Sequence, residues 1–141
     1  MSAESFIDTN VFIYQLEALD ERKSTIAEEI IREGLATGNA CISFQVIQET
    51  LNTVVRKAEI PLDRESAGSY LETVLAPLLR VPATIDLYQR ALDIQARYRY
   101  IFYDSLIIAA ALVGGCTRIY SEDLQHGQRI DGLTIHNPFT N

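Results

Sequence analysis

Four carboxylates in this 141-residue chain stand in settings that a solvated surface does not explain. Asp8 follows the apolar pair Phe6-Ile7 and precedes Thr9-Asn10, at the exit of the first expected strand. Glu49 lies among core-facing residues in Val46-Ile47-Gln48-Glu49-Thr50-Leu51. Asp104 opens the most hydrophobic helical stretch, in Phe102-Tyr103-Asp104-Ser105-Leu106, and Asp123 follows Ile119-Tyr120-Ser121 at another strand exit. Taken singly, each has an ordinary explanation. Asp8 and Asp104 suit helix N-caps, Glu49 an exposed helix position and Asp123 a turn. Taken together, three of the four fall at strand ends or helix starts, which meet at one edge of a parallel sheet. Repulsion and desolvation penalise unpaired carboxylates gathered there, and a divalent cation removes that penalty. Oxygen donors without a matching His or Cys set point to Mg²⁺, with Mn²⁺ the alternative, rather than Zn²⁺. The remaining acids, such as Glu28, Glu29, Glu33 and Glu59, read as polar helix faces.

The elements that must position these groups follow from the pattern of apolar residues. Short runs at Phe6-Ile7, Ala40 to Phe44, Leu79 to Val81, Arg118 to Ser121 and Leu133 to His136 read as strands. Helical spacing occupies Val11 to Leu19, Glu21 to Leu35, Val46 to Val55, Leu62 to Leu75 (stopped near Pro77) and Ile85 to Tyr98. Ser105 to Val113 is apolar on every side, so it should be buried between layers. Alternation of strands and helices predicts a single α/β domain over residues 1–141, with a mostly parallel sheet of four to five short strands covered on both faces. Leu106 to Val113 is too short to span a bilayer. Residues 1–7 hold no basic region followed by an apolar run, so no signal peptide and a cytoplasmic location are expected. Cys41 and Cys116 sit in apolar contexts and read as small buried hydrophobes.

Net charge is −7, which argues against a grip on a long stretch of nucleic acid. It does not exclude a nuclease, because bound cations reverse the local sign. Both histidines come late in the chain without metal-ligand spacing, so His126 and His136 read as capping or structural residues.

The ordered set resembles the PIN-domain nucleases, and most closely the VapC-type toxin ribonucleases of toxin–antitoxin pairs. The resemblance rests on Phe6-Ile7-Asp8-Thr9-Asn10-Val11, on Glu49 in Gln45-Val46-Ile47-Gln48-Glu49, on Asp104 in Tyr103-Asp104-Ser105-Leu106-Ile107, on Ser121-Glu122-Asp123 and on the final Asn137-Pro138-Phe139. It spans almost the whole chain. Asp123 matches the fourth acidic position, with its neighbour Glu122 the alternative. The resemblance implies a Rossmann-like three-layer α/β/α PIN-like fold, Mg²⁺- or Mn²⁺-dependent endoribonuclease activity, a VapB-like antitoxin partner and a homodimer.

On that reading Asp8 and Asp104 hold the metal, Asp123 completes the catalytic set, and Glu49 orients the attacking water or a second ion. Asn10, Ser121, Arg97 and Arg99 are the candidate substrate-binding residues, with Arg56-Lys57 as further phosphate contacts. Tyr98, Tyr100, Phe102 and Tyr103 offer stacking surfaces or core and dimer packing. The alternatives are a housekeeping PIN RNA-processing nuclease and a non-catalytic PIN-like binding module. A haloacid-dehalogenase-type phosphatase wants Asp where residue 10 is Asn, and a receiver domain wants Lys after a late strand.

Overall fold

Short apolar runs bounded by polar residues form the strands, and the longer amphipathic runs between them form the helices. The structure, a computed structural model, describes residues 3–56 and 62–140. Lys57 and Glu59 therefore lie outside the described residues. Strands β1 (Ser5–Ile7), β2 (Ala40–Ser43), β3 (Leu79–Val81), β4 (Arg118–Tyr120), β5 (Arg129–Ile130) and β6 (Leu133–His136) make one sheet in the order β3-β2-β1-β4-β6-β5. All neighbours pair in parallel except β5, which runs antiparallel to β6. Every residue of β1 and β2 is buried, as expected of parallel strands covered on both faces.

The helices are α1 (Thr9–Glu17), α2 (Glu21–Thr37), α3 (Phe44–Val54), α4 (Arg64–Tyr70), α5 (Ala76–Leu78), α6 (Ile85–Tyr98) and α7 (Phe102–Val113). Local chemistry sets several of their starts. The Asp20 side chain accepts from the Lys23 N–H at the head of α2, and Thr84 accepts from the Leu87 N–H at the head of α6. Helix α7 is buried continuously from Ser105 to Ala111, as its lack of a polar stripe requires. The one hydroxyl in that run, on Ser105, donates to the Ile101 carbonyl at 3.0 Å.

The two faces of the sheet can be assigned from β2. Ala40 and Cys41 are consecutive in that strand, so their side chains point to opposite faces. A Cβ at Gly34 of α2 would lie 2.8 Å from the Ala40 Cβ, and one at Gly114, just after α7, would lie 3.1 Å from the Cys41 Sγ. Helix α2 and the end of α7 therefore cover opposite faces, giving the α/β/α layering. Cys41 also meets Cys116 with 3.5 Å between sulfurs, both as buried free thiols.

Three details differ from the sequence expectation. The sheet has six strands rather than four or five, because β5 folds back on β6. The two-residue turn Asp131-Gly132 has φ of 49° and 88°, the left-handed pair that an Asp-Gly hairpin turn adopts. The helix expected to stop near Pro77 runs on to Leu78, with a π turn at Leu71–Leu75 and Pro77 in the short α segment that follows it. Asp104 is not an N-cap: α7 begins at Phe102, its cap position is Ile101, and Asp104 lies in the first turn. Among the described residues no helix is long and apolar enough to cross a membrane.

Gly34 is where layer spacing leaves least room. Gly34→Ala should lower stability by about 1–3 kcal/mol through overpacking against Ala40. Urea denaturation reads this as a lower midpoint with an unchanged slope, and an unaltered midpoint would show that the helix shifts freely.

Candidate active site

The chain moves from β1 to β2 to β3 on one side of the sheet, then returns to place β4 on the other side of β1. Such a reversal opens a crevice at the C-terminal ends of the two central strands. Asp8 and Ser121 leave β1 and β4 side by side there, one step beyond the pairing of Ile7 with Tyr120. The Asp8 N–H donates to the Tyr120 carbonyl at 3.0 Å and the Ser121 N–H to the His136 carbonyl at 3.1 Å, so both exits are fixed to the sheet. Asp8 also caps α1, accepting from the Thr9 N–H at 2.7 Å. The strand-exit reading and the N-cap reading thus describe the same residue.

Each of the other carboxylates comes from a different element. Glu49 projects from the second turn of α3, Asp104 from the first turn of α7, and Asp123 from the loop after β4. Burial is graded across them: Asp8 is buried, Glu49 and Asp104 are half-buried, and Asp123 is exposed. Asp8 is the innermost of the four and Asp123 the outermost.

Fixed hydrogen bonds hold this set. The Ser121 hydroxyl donates to Asp8 Oδ2 at 2.7 Å. The Thr9 hydroxyl donates to Glu49 Oε1 at 2.7 Å. Gln45 Nε2 donates to Glu49 Oε2 at 3.2 Å and to the Tyr103 carbonyl at 3.1 Å. Asn10 Nδ2 donates to Asp123 Oδ2 at 3.2 Å, and Asn10 Oδ1 accepts from the Glu122 N–H at 3.3 Å. Asn10 therefore grips the loop of the fourth carboxylate from both sides.

Glu122 faces elsewhere. Lys23 Nζ stands 2.6 Å from its carboxylate, and the Tyr14 hydroxyl donates to the same group. Lys23 lies over the Tyr14 ring, and Phe139 packs edge-on against that ring at 4.9 Å. The segment Asn137-Pro138-Phe139 thereby braces the loop that carries Asp123.

The candidate substrate residues are divided. Asn10 and Ser121 join the carboxylate cluster directly. Arg97 is not brought there; it forms a two-pronged ion pair with Asp131 at 2.8 and 2.9 Å. Arg99 is exposed in a left-handed conformation that ends α6, and Arg56 is exposed after α3. Of the four aromatics, Tyr103 is 64% exposed, while Tyr98, Tyr100 and Phe102 are half-buried. Tyr100 bonds Gln128, and Tyr98 accepts from Arg97. His126 accepts the Asn137 N–H at 2.9 Å, a turn-capping role. The sequence reading missed Thr9 and Gln45 as partners of Glu49. The i, i+4 spacing of Gln45 and Glu49 was the available signal.

The donor set fits a hard divalent cation. Burial pushes the Asp8 carboxyl up to about 7, against the bonds from Ser121 and Thr9, and the charges of Glu49 and Asp123 push the same way. Burial likewise raises Asp104, with Asp123 and Glu49 adding to it. This negative charge lacks compensation, and a cation supplies it. Among the described residues no three Asp, Glu, His or Cys side chains stand close enough to chelate an ion together. Mg²⁺ does not need such a cage, since it is commonly held through one or two carboxylates and retained waters.

A raised Asp8 has a pH signature. Its ordinary value is 3.8, so between about pH 4 and about 7 the metal-free native state holds a proton that the unfolded chain releases. Stability should therefore fall as pH rises through that window and level off above it. Asp8→Asn should flatten the slope, and Mg²⁺ should raise the melting temperature more at pH 7.5 than at pH 5. Identical slopes for the two proteins in chelator would rule out Asp8 as the source.

The family model for the PIN domain matches residues 5–131. No curated protein sequence gives a match. Among solved structures, the chain is similar to DNA-bound VapBC from Salmonella typhimurium, at 19% identity and TM-score 0.67, covering 95% of this chain and 97% of that one. It is similar to the sarcin-ricin loop cleaving toxin VapC20 from Mycobacterium tuberculosis, at 22% identity and TM-score 0.61, covering 85% and 90%. A toxin–antitoxin complex from Klebsiella pneumoniae is similar over 96% and 98%, at 14% identity and TM-score 0.66. These likenesses establish a shared fold. With the family match over most of its length, the chain belongs to the PIN domain family.

Proposed function

We propose that this protein is a Mg²⁺-dependent endoribonuclease, with Mn²⁺ able to substitute, and the toxin of a VapBC-like toxin–antitoxin pair. One observation carries the reading: Asp8, Glu49, Asp104 and Asp123 converge from four separate elements on the crevice at the end of the sheet. The fold shared with VapC and VapBC proteins supports the toxin assignment, and the RNA-cleaving neighbour supports the substrate class. A non-catalytic PIN-like module has no need of four carboxylates around one crevice.

In this reading Asp8 and Asp104 hold the metal, which when bound supplies positive charge to the phosphate and favours ionisation of the attacking water. Glu49, fixed on both oxygens, accepts a proton from that water or orients it. Asp123 closes the rim, and it is preferred to Glu122 because Lys23 and Tyr14 engage the latter. Ser121 and Asn10 keep Asp8 and Asp123 in place. Arg99 is offered to a flanking phosphate and Tyr103 to an unstacked base, whereas Arg97 remains with Asp131. The same reading includes an antitoxin partner and a homodimer. Exposed Ile85, Leu92 and Ile101 leave apolar surface for such contacts.

Purified protein should cut total cellular RNA with Mg²⁺ or Mn²⁺ and lose that activity in excess EDTA. Asp8→Asn and Asp104→Asn should reduce cleavage to background while remaining folded. Equal cleavage in EDTA would overturn the metal-dependent reading. A housekeeping nuclease is separated by growth: expression of the wild type should arrest cells and Asp104→Asn should not. At the fourth position, Asp123→Asn should cost activity about 10–100-fold. Glu122→Gln should cost chiefly stability, about 1 kcal/mol for a partly exposed ion pair. The reverse ranking would move the role to Glu122.

A further inference from the structure

Gln45 occupies an unusual place among the groups around Glu49. Its Nε2 donates both to Glu49 Oε2 and to the carbonyl of Tyr103, the residue before Asp104. One neutral amide thus links two carboxylate-bearing helices, α3 and α7. Thr9 completes the arrangement by donating to the other Glu49 oxygen from the residue after Asp8. A continuous path of hydrogen bonds and adjacent residues runs Asp8–Thr9–Glu49–Gln45–Tyr103–Asp104.

The Gln45 side chain holds this position with one of its two polar atoms unpaired. It is 3% exposed, and its Oε1 is buried with no hydrogen-bond partner among the described residues. Reversing the amide would set Oε1 against two acceptor oxygens, so its neighbours dictate its orientation. A buried carbonyl without a partner costs stability, and the two bonds made by Nε2 set a gain against that cost. Packing alone therefore does not account for glutamine here. The chemistry of the donor does. An amide fixes the direction of a carboxylate while leaving its full charge available, whereas a lysine would neutralise it.

We propose that Gln45 is a positioning residue of the active site, setting the Glu49 carboxylate and the first turn of α7 for cleavage. The inference rests on the hydrolase reading above. It assigns Gln45 no contact with substrate.

The test uses the full chain and Gln45→Met, which keeps the length of the side chain and removes its donor. The variant should stay folded at the assay temperature, while kcat falls about 10–100-fold with KM little changed. In a Glu49→Gln background the same substitution should cost little further activity, because the two residues act as a unit. Losses that multiply in the double variant, or a fall in activity that only matches the fall in folded protein, would overturn the proposal. A second readout needs no RNA. In ¹H–¹⁵N spectra the Gln45 side-chain amide should exchange slowly with solvent and shift on Glu49→Gln. Fast exchange and no shift would also overturn the proposal. If the wild type cuts no RNA with either metal, the hydrolase reading fails, and the spectra still decide whether Gln45 holds Glu49.

Discussion

Asp8 leaves β1 with its carboxyl withdrawn from water and with the charges of Glu49 and Asp123 acting on it. That buried carboxyl, with like charges beside it, is the constraint to which the surrounding polar structure answers. Its neighbours do not neutralise it. Ser121, Thr9, Asn10 and Gln45 are all uncharged donors, each directed at one carboxylate oxygen or its helix. The charged donor nearby, Lys23, is held by Glu122 and Tyr14 instead. Orientation without neutralisation leaves that charge uncompensated, a setting that a hard divalent cation would fit.

The apolar framework explains how such a site can be tolerated. Every residue of β1 and β2 is buried, and α7 contributes a continuous buried run from Ser105 to Ala111. Close helix–sheet approach at Gly34 and Gly114 packs the layers tightly on both faces. Burial of this area stabilises the fold and offsets the electrostatic cost concentrated at one end. Core and site are thus spatially separate, with the strand exits as the boundary between them.

Much of this was legible in the sequence, and the reason is local. A strand exit is marked by an apolar run meeting a polar residue, so Phe6-Ile7-Asp8 and Ile119-Tyr120-Ser121 announced themselves. The buried helix from Ser105 was equally plain from its lack of a polar face. Glu49 was visible mainly through family resemblance, because a half-buried helix position has no local signature. The surroundings of Glu122 were not legible at all. They depend on Lys23 and Tyr14, which lie 99 and 108 residues earlier in the chain. Arg97 looked available for phosphate for the same reason, since its partner Asp131 is 34 residues away. The β5–β6 hairpin could have been found: Ile130-Asp131-Gly132-Leu133 carries the Asp-Gly turn between apolar residues.

The pairing of β1 with β4 joins residues 113 positions apart, and the same separation divides Asp8 from Ser121. During synthesis on the ribosome, β1, β2 and β3 emerge long before β4. Until then one edge of β1 is bare, Asp8 lacks its serine, and the loop bearing Asp123 does not exist. Non-local contacts of this kind form late because a long loop must first be closed. On the proposed reading, a nascent chain would lack the complete carboxylate set until its last strands dock.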